Sequence, residues 1–282
     1  MSTLREKRKK ERRALRRRKT ADWTVVLILC AIAVCCGGYL IYHHWSVKQR
    51  ELEYERLRQE ETLSAATETV IAEPETEENT EETVIYCDPV YDFGQLHEQN
   101  EDIYAWIVVP GTQVDYPLLQ SGTDNYYLDY NLDHSKGYPG CIYTNQCNRK
   151  DFSDYNTVLY GHNMKNGSMF GSIHSFEDET FFDEHPYIYV YTENERLTYE
   201  IYEAAKFTDV YIPSEYVISS KDDRDQFLTD VREKVSDNKL HVREDMEIGE
   251  EDRLITLSTC VSGERNHRYL VIGVLVETAL YR

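Results

Sequence analysis

Between Trp23 and Val47 the chain carries no Asp, Glu, Lys or Arg, and the heart of that stretch, Val25 to Leu29 and Tyr39 to Ile41, is apolar. About 20 such residues at a helical rise of ~1.5 Å span a hydrocarbon core of ~30 Å. Residues 23–47 therefore read as one membrane-crossing helix. The first 20 residues hold eleven Lys and Arg against only Glu6 and Glu11, so residues 1–22 form a basic head. Basic residues before the apolar run and acidic ones after it direct the N-terminus to the cytoplasm and everything beyond Val47 outside, with Trp23, Tyr42 and Trp45 as interfacial anchors. A cleaved signal peptide also begins basic and then apolar, but this run is long and no Ala-x-Ala-like site follows it. The expectation is a single-pass plasma-membrane protein with an extracytoplasmic domain.

The formal net charge is −20, and because the head contributes +9 the remainder carries −29. From Gln59 to Ser135 there is no Lys or Arg at all, against eighteen Asp and Glu. A surface of that sign repels phosphate backbones, which excludes nucleic acid as a partner. Residues 48–62 place Leu52, Tyr54 and Leu57 among mixed charges, a pattern that continues as a short juxtamembrane helix. From Thr62 to Thr83 the chain is Glu-, Thr- and Ala-rich, with too little apolar surface to offset the entropy of ordering. Residues 48–85 are thus expected to be an acidic flexible spacer, and residues 86–282 the folded domain.

Within that domain a helix is expected around Tyr91–Asp102. Eight β-like runs follow: Trp106–Val109, Val114–Leu119, Cys141–Tyr143, Thr157–Tyr160, Tyr187–Tyr191, Leu197–Thr208, Arg253–Leu257 and Tyr269–Val276. Short runs separated by turn residues such as Pro110-Gly111 and Gly137–Gly140 point to a mainly β fold, an antiparallel barrel or sandwich rather than a parallel α/β sheet. Between the sixth and seventh runs, Phe227, Val231 and Val235 recur at helical spacing beside Leu228, so Ser219–Lys239 reads as an amphipathic helix packed on the sheet.

Of seven cysteines, Cys30, Cys35 and Cys36 fall in the apolar segment, leaving Cys87, Cys141, Cys147 and Cys260 outside. No Cys-x-x-Cys pair occurs, which gives no support to a zinc site; a Cys141–Cys147 bridge is compatible with an oxidising exterior. Cys260 closes the run Leu254–Cys260, which mounts it at the mouth of a loop, Val261–His267. A buried structural thiol is the ordinary role for a strand-end cysteine, but the polar neighbours Ser258, Thr259 and Ser262 fit a nucleophile better. His162 ends the run Thr157–Gly161 where the chain turns, a place where a histidine can exchange protons. Arg268 opens the last run eight residues after Cys260, where its fork could hold a carbonyl or an oxyanion. Arg265 competes for that role from the loop.

Here the motifs become specific. Thr256-Leu257-Ser258-Thr259-Cys260 resembles the TLSTC element of sortases, and Tyr160-Gly161-His162-Asn163-Met164 with Gly167-Ser168-Met169-Phe170 resembles the YGHNM and GSMF stretch of their class B. Trp106-Ile107, Pro110-Gly111-Thr112, Val114-Asp115-Tyr116-Pro117 and Asp124-Asn125-Tyr126-Tyr127-Leu128 are similar to the class B N-terminal region, and Arg268-Tyr269-Leu270-Val271 to the arginine that opens the family's last strand. The likeness runs from about Tyr91 to Val276. The stretch Asp124–Leu128 is one residue shorter than the family pattern, and Cys141 and Cys147 stand outside it.

The resemblance implies a closed eight-stranded sortase-type β-barrel with an N-terminal helix and the inserted helix between strands 6 and 7. It implies Cys260, His162 and Arg268 as catalytic residues, and Leu128, Tyr160, Tyr211, Ile212 and Ser258 along the substrate groove, although ordinary packing accounts equally well for those five. The implied reaction cleaves a sorting-signal peptide of secreted proteins after Thr and passes the acyl group to a peptidoglycan-precursor amine, with no metal or organic cofactor. A membrane-tethered cysteine peptidase, or a non-catalytic cell-wall-binding ectodomain, are the rival readings.

Overall fold

The computed structural model describes residues 2–62, 85–234 and 240–282. The spacer expected at Thr62–Thr83 falls almost wholly outside these residues, as does Val235. The chain divides into two units, residues 1–53 and 54–282.

In the first unit the backbone is helical as part of α1 (Ser2–Thr62). Trp23–Gln59 is long and apolar enough to cross a membrane, a property that an anchor and a signal sequence share. Val25, Leu27, Leu29, Leu40 and Ile41 are all exposed, leaving an apolar surface for lipid.

The second unit begins with the last turns of α1, where Tyr54 and Leu57 are buried and the Arg58 guanidinium lies 4.6 Å from the Tyr116 ring centroid. Then follow β1 (Ile85–Cys87), α2 (Phe93–Gln99), β2 (Ile103–Val108), β3 (Asp115–Leu119), α3 (Tyr126–Asp129), β4 (Ile142–Thr144) and β5 (Asn156–Tyr160). A 3₁₀ helix (Gly171–Glu177), α4 (Glu179–Glu184), β6 (Tyr187–Tyr191), β7 (Glu195–Thr208), α5 (Ile212–Glu215) and α6 (Lys221–Lys234) come next, and β8 (His241–Val242), β9 (Leu254–Val261) and β10 (Glu264–Tyr281) complete the fold. Asp92 caps α2, accepting from the backbone N–H groups of Gly94 and Gln95.

The strands pair in the order β10-β9-β5-β4-β3-β2-β6-β7, and β7 returns to β10, closing an eight-stranded barrel. β1 adds to β10 past the reach of β9, and β8 to β7 past the reach of β6. The barrel is mixed, which corrects the antiparallel expectation: β3 pairs parallel with β4 and β5 parallel with β9. Parallel pairs need long crossovers, and the path from β5 to β9 supplies one through β6, β7 and α6.

Alternation sorts each strand between two cores. Ile188, Val190, Leu197, Tyr199, Ile255, Leu257 and Val271 fill the barrel interior. Val158, Leu254, Leu270 and Ile272 face outward into a second cluster, covered by Phe227, Leu228 and Val231 of α6. Those three residues carry the helical spacing seen in the sequence, and burying each contributes about 1.5–3 kcal/mol. α6 lies between the sixth and seventh strands of the barrel, as expected.

Candidate active site

β5 and β9 run parallel and in register, with Tyr160 opposite Ser258. Two residues beyond each partner lie His162 and Cys260, so the two strands release a histidine and a cysteine side by side at the same end of the barrel. The neighbours of His162 hold this arrangement. Thr259 Oγ1 donates to the Gly161 carbonyl at 2.8 Å, and Asn163 Nδ2 donates to the Cys260 carbonyl at 2.7 Å. Position 161 must be glycine because a Cβ there would sit 2.7 Å from a ring carbon of Phe170, which is fully buried. The two motifs Tyr160–Met164 and Gly167–Phe170 are thus one packed unit.

Cys260 is exposed, while the six residues before it in β9 are buried. The strand alternation that turns Thr256 and Ser258 to the outer face of the barrel turns Cys260 the same way. Across the ladder its register partner is Arg268, and opposite residues of an antiparallel pair project on one face. The expected loop Val261–His267 is instead a tight hairpin: Ser262 and Gly263 make the turn, with Gly263 at φ +81°, and β10 begins at Glu264. An irregularity between Glu264 and Arg268 absorbs the extra residues. Arg265 is exposed on that hairpin and has no place opposite Cys260. Arg268 Nη1 donates to the carbonyls of His267 at 2.9 Å and Arg265 at 3.2 Å. Among the described residues, those bonds engage Nη1 and leave the Nε and Nη2 donors of the fork open.

His162 Nε2 lies 2.8 Å from the Leu128 carbonyl oxygen. A carbonyl only accepts, so Nε2 carries the proton and Nδ1 is the basic nitrogen. The Tyr138 ring stacks on the imidazole, with centroids 4.7 Å apart.

The five expected groove residues gather at this end. Tyr160 stacks with Tyr211 at 6.1 Å and tilts against Tyr143 at 5.6 Å. Tyr211 and Leu128 are exposed, Tyr160 is half-buried, and Ser258 and Ile212 are buried, Ile212 within the second core. Burial pushes the phenols of Tyr160 and Tyr143 far above the usual range and that of Tyr211 up to about 12. Asn145 Nδ2 donates to Tyr211 Oη at 2.8 Å. Cys147 lies 3.9 Å from the same oxygen, its thiol pushed up by burial. Cys141 and Cys147 are not bridged. Among the described residues no cluster of three His, Cys, Asp or Glu could hold a metal ion.

Sequence reasoning did not single out Tyr138 or His174. Tyr138 sits in a Gly-Tyr-Pro-Gly turn with no local sign of a histidine above it. His174, one of nine histidines, approaches the Cys260 carbonyl at 3.1 Å only because the 3₁₀ helix folds back over β9.

A mixed closed barrel with a cysteine, a histidine and an arginine converging on one rim has the build of a thiol acyl-transfer enzyme. A family profile described as the Sortase domain matches residues 107–276, more than half of the chain. The chain belongs to the sortase family of cysteine transpeptidases, on its sortase B branch. Sortase B of Listeria monocytogenes is 34% identical over 168 residues, covering 58% of this chain and 65% of that protein. Sortase B of Staphylococcus aureus is 26% identical over 261 residues, covering 91% of this chain and 97% of that one. The structure of a Staphylococcus aureus sortase B–substrate complex superposes with a TM-score of 0.63 at 26% identity, covering 82% of this chain and 97% of that chain.

Proposed function

We propose that this chain is a membrane-anchored sortase that cleaves a C-terminal sorting signal of secreted surface proteins after Thr and transfers the acyl group to an amine of a peptidoglycan precursor. The observation that carries the reading is the pairing of Cys260 with Arg268 across β9 and β10 beside the His162 end of β5. The Cys260 thiol passes its proton to Nδ1 of His162, the resulting thiolate attacks the Thr carbonyl, and the Arg268 fork stabilises the negative charge that develops on its oxygen. His162 delivers a proton from Nδ1 to the leaving amine as the C–N bond breaks, which leaves a thioester on Cys260. An incoming amine then attacks that thioester, His162 takes its proton, and the thiolate departs.

Leu128, Tyr160, Tyr211, Ile212 and Ser258 form the groove for the sorting peptide, where Tyr211 offers a hydroxyl, Tyr160 backs it through the stacked ring and Ile212 supports both from the second core. The apolar helix fits an uncleaved single-pass anchor with the N-terminus in the cytoplasm and the catalytic unit outside. Tethering of this kind raises the effective concentration of enzyme near both substrates.

Two experiments test the reading. Protease added to intact protoplasts should remove the barrel, and a fully protected barrel would overturn the topology. Incubation of the full chain with a library of Thr-containing pentapeptides and triglycine should yield Thr-triglycine products by mass spectrometry. Free acids alone, unchanged by added amine, would replace the transferase reading with a peptidase.

A further inference from the structure

The carbonyl of Cys260 is held by a chain of polar side chains that the proposed chemistry does not use. Asn163 Nδ2 donates to it at 2.7 Å and lies 3.0 Å from His174 Nε2. His174 Nδ1 lies 2.8 Å from Glu177 Oε1. Residues three apart eclipse in a 3₁₀ helix, so Gly171–Glu177 places Glu177 under His174 by geometry alone. The His174 ring also stacks on Tyr269, with centroids 4.9 Å apart, and Tyr269 is the ladder partner of Thr259.

The same carbonyl lies 3.1 Å from His174 Nε2, and Asn163 Nδ2 lies 3.3 Å from Ser262 Oγ. The Glu177 carboxylate can only accept, so Nδ1 of His174 carries a hydrogen toward it. Asn163 and His174 thus close on the Cys260 carbonyl together, and each braces the other. Asn163 directly follows His162 in the chain. A carbonyl clamped from position 163 therefore ties the backbone of the cysteine to that of the histidine, while the Thr259 bond to the Gly161 carbonyl ties the other side.

We propose that Asn163 and His174 are positioning residues: the relay of Glu177, His174 and Asn163, whose last two members both reach the Cys260 carbonyl, sets the placement of the thiol against the imidazole of His162. The proposal rests on the reading of Cys260 as nucleophile. Misplacement of reacting groups by about 1 Å costs on the order of 10²-fold in rate, so a partly loosened clamp should cost less than that.

The test is steady-state kinetics on the full chain in detergent, with triglycine and the pentapeptide that the library selects. Asn163→Ala should lower kcat about 10-fold or more and leave KM for the peptide within about twofold. His174→Phe keeps the stack on Tyr269 but removes the nitrogens, and it should lower kcat several-fold. The double variant should lose less than the product of the two single losses, because both residues act on one carbonyl and neighbouring contacts do not add. Wild-type kcat in His174→Phe, or full multiplication of the two losses, would overturn the relay. Should Asn163→Ala fail to fold by circular dichroism, Glu177 decides: Glu177→Gln still accepts from Nδ1 and should keep more rate than Glu177→Ala, and equal rates would overturn the proposal. Cys260→Ala separates the two readings. Turnover in that variant defeats the nucleophile assignment itself, whereas an inactive Cys260→Ala beside an unimpaired His174→Phe defeats the relay alone.

Discussion

Cys260 and Arg268 are direct partners across the β9–β10 ladder, eight residues apart in the chain and one strand apart in space. Neighbouring strands lie about 4.7–4.9 Å apart, so the cysteine and the arginine are held side by side on the ladder itself, just before the hairpin turn.

This pairing separates Arg268 from Arg265. Arg268→Lys keeps the charge but loses the planar fork, and loss of one oxyanion donor typically costs ~10²–10³ in turnover, roughly 2.7–4 kcal/mol. Arg265→Ala alters an exposed hairpin residue and should change kcat by less than about threefold, within the small range expected of a surface substitution. An active Arg268→Ala beside an inactive Arg265→Ala would reverse the assignment.

His162 is held by a hydrogen bond through Nε2 and by the stacked Tyr138 ring. His162→Ala should lower peptide cleavage by ~10²-fold or more, the usual scale of general acid catalysis. Tyr138→Ala removes only the stacked ring, so it should weaken turnover less than His162→Ala. Equal turnover in wild type and His162→Ala would move the proton-transfer role elsewhere.

Away from the site, Glu203 of β7 is fully buried beside Arg232 of α6, and burial pushes its carboxyl up to about 7 despite that guanidinium. The folded state therefore holds this proton more tightly than the unfolded chain, whose glutamate titrates near ~4.3. Its contribution is full below the unfolded pKa and is lost as pH rises from about 4.5 through about 7. Glu203→Gln should flatten that part of the melting-temperature profile and gain on wild type above pH ~7, by an amount on the order of 3 kcal/mol. Parallel profiles for the two proteins across that window would contradict the buried titration.

Phe227 is fully buried at the centre of the contact between α6 and the barrel, edge-on to Phe207 and Tyr216. Phe227→Ala should destabilise the chain by about 3–5 kcal/mol, measurable by chemical denaturation. A loss below about 1 kcal/mol would show that α6 does not depend on this anchor.

Much of this was legible in the sequence because local patterns carry it. β6 falls at Tyr187–Tyr191 as read, since Ile188 and Val190 alternate with tyrosines. α6 follows from the spacing of Phe227 and Val231. β10 runs past the expected Val276 to Tyr281, because Glu277, which breaks the apolar run, is satisfied in the sheet by Arg196 at 2.7 Å. What local pattern does not carry is register. Val158-Leu159 and Leu254–Leu257 are apolar on both faces, a mark of parallel burial, yet only the closed barrel shows that Tyr160 meets Ser258. The site inherits this split. Cys260, His162 and Arg268 stand out in the sequence by their motifs and strand ends, whereas the approach of His174 to Cys260 depends on a 3₁₀ helix folding across a strand distant in sequence.

The central claim is that Cys260 carries the acyl group between two substrates, and intact-mass spectrometry of the full chain tests it most directly. Incubation with the selected peptide and no amine should add the mass of the acyl fragment, mapped by digestion to Cys260, and triglycine should discharge it as a peptide–triglycine product. Cys260→Ala should acquire no adduct. An adduct on Cys87, Cys141 or Cys147 instead, or product formed by the Cys260→Ala protein, would contradict the account.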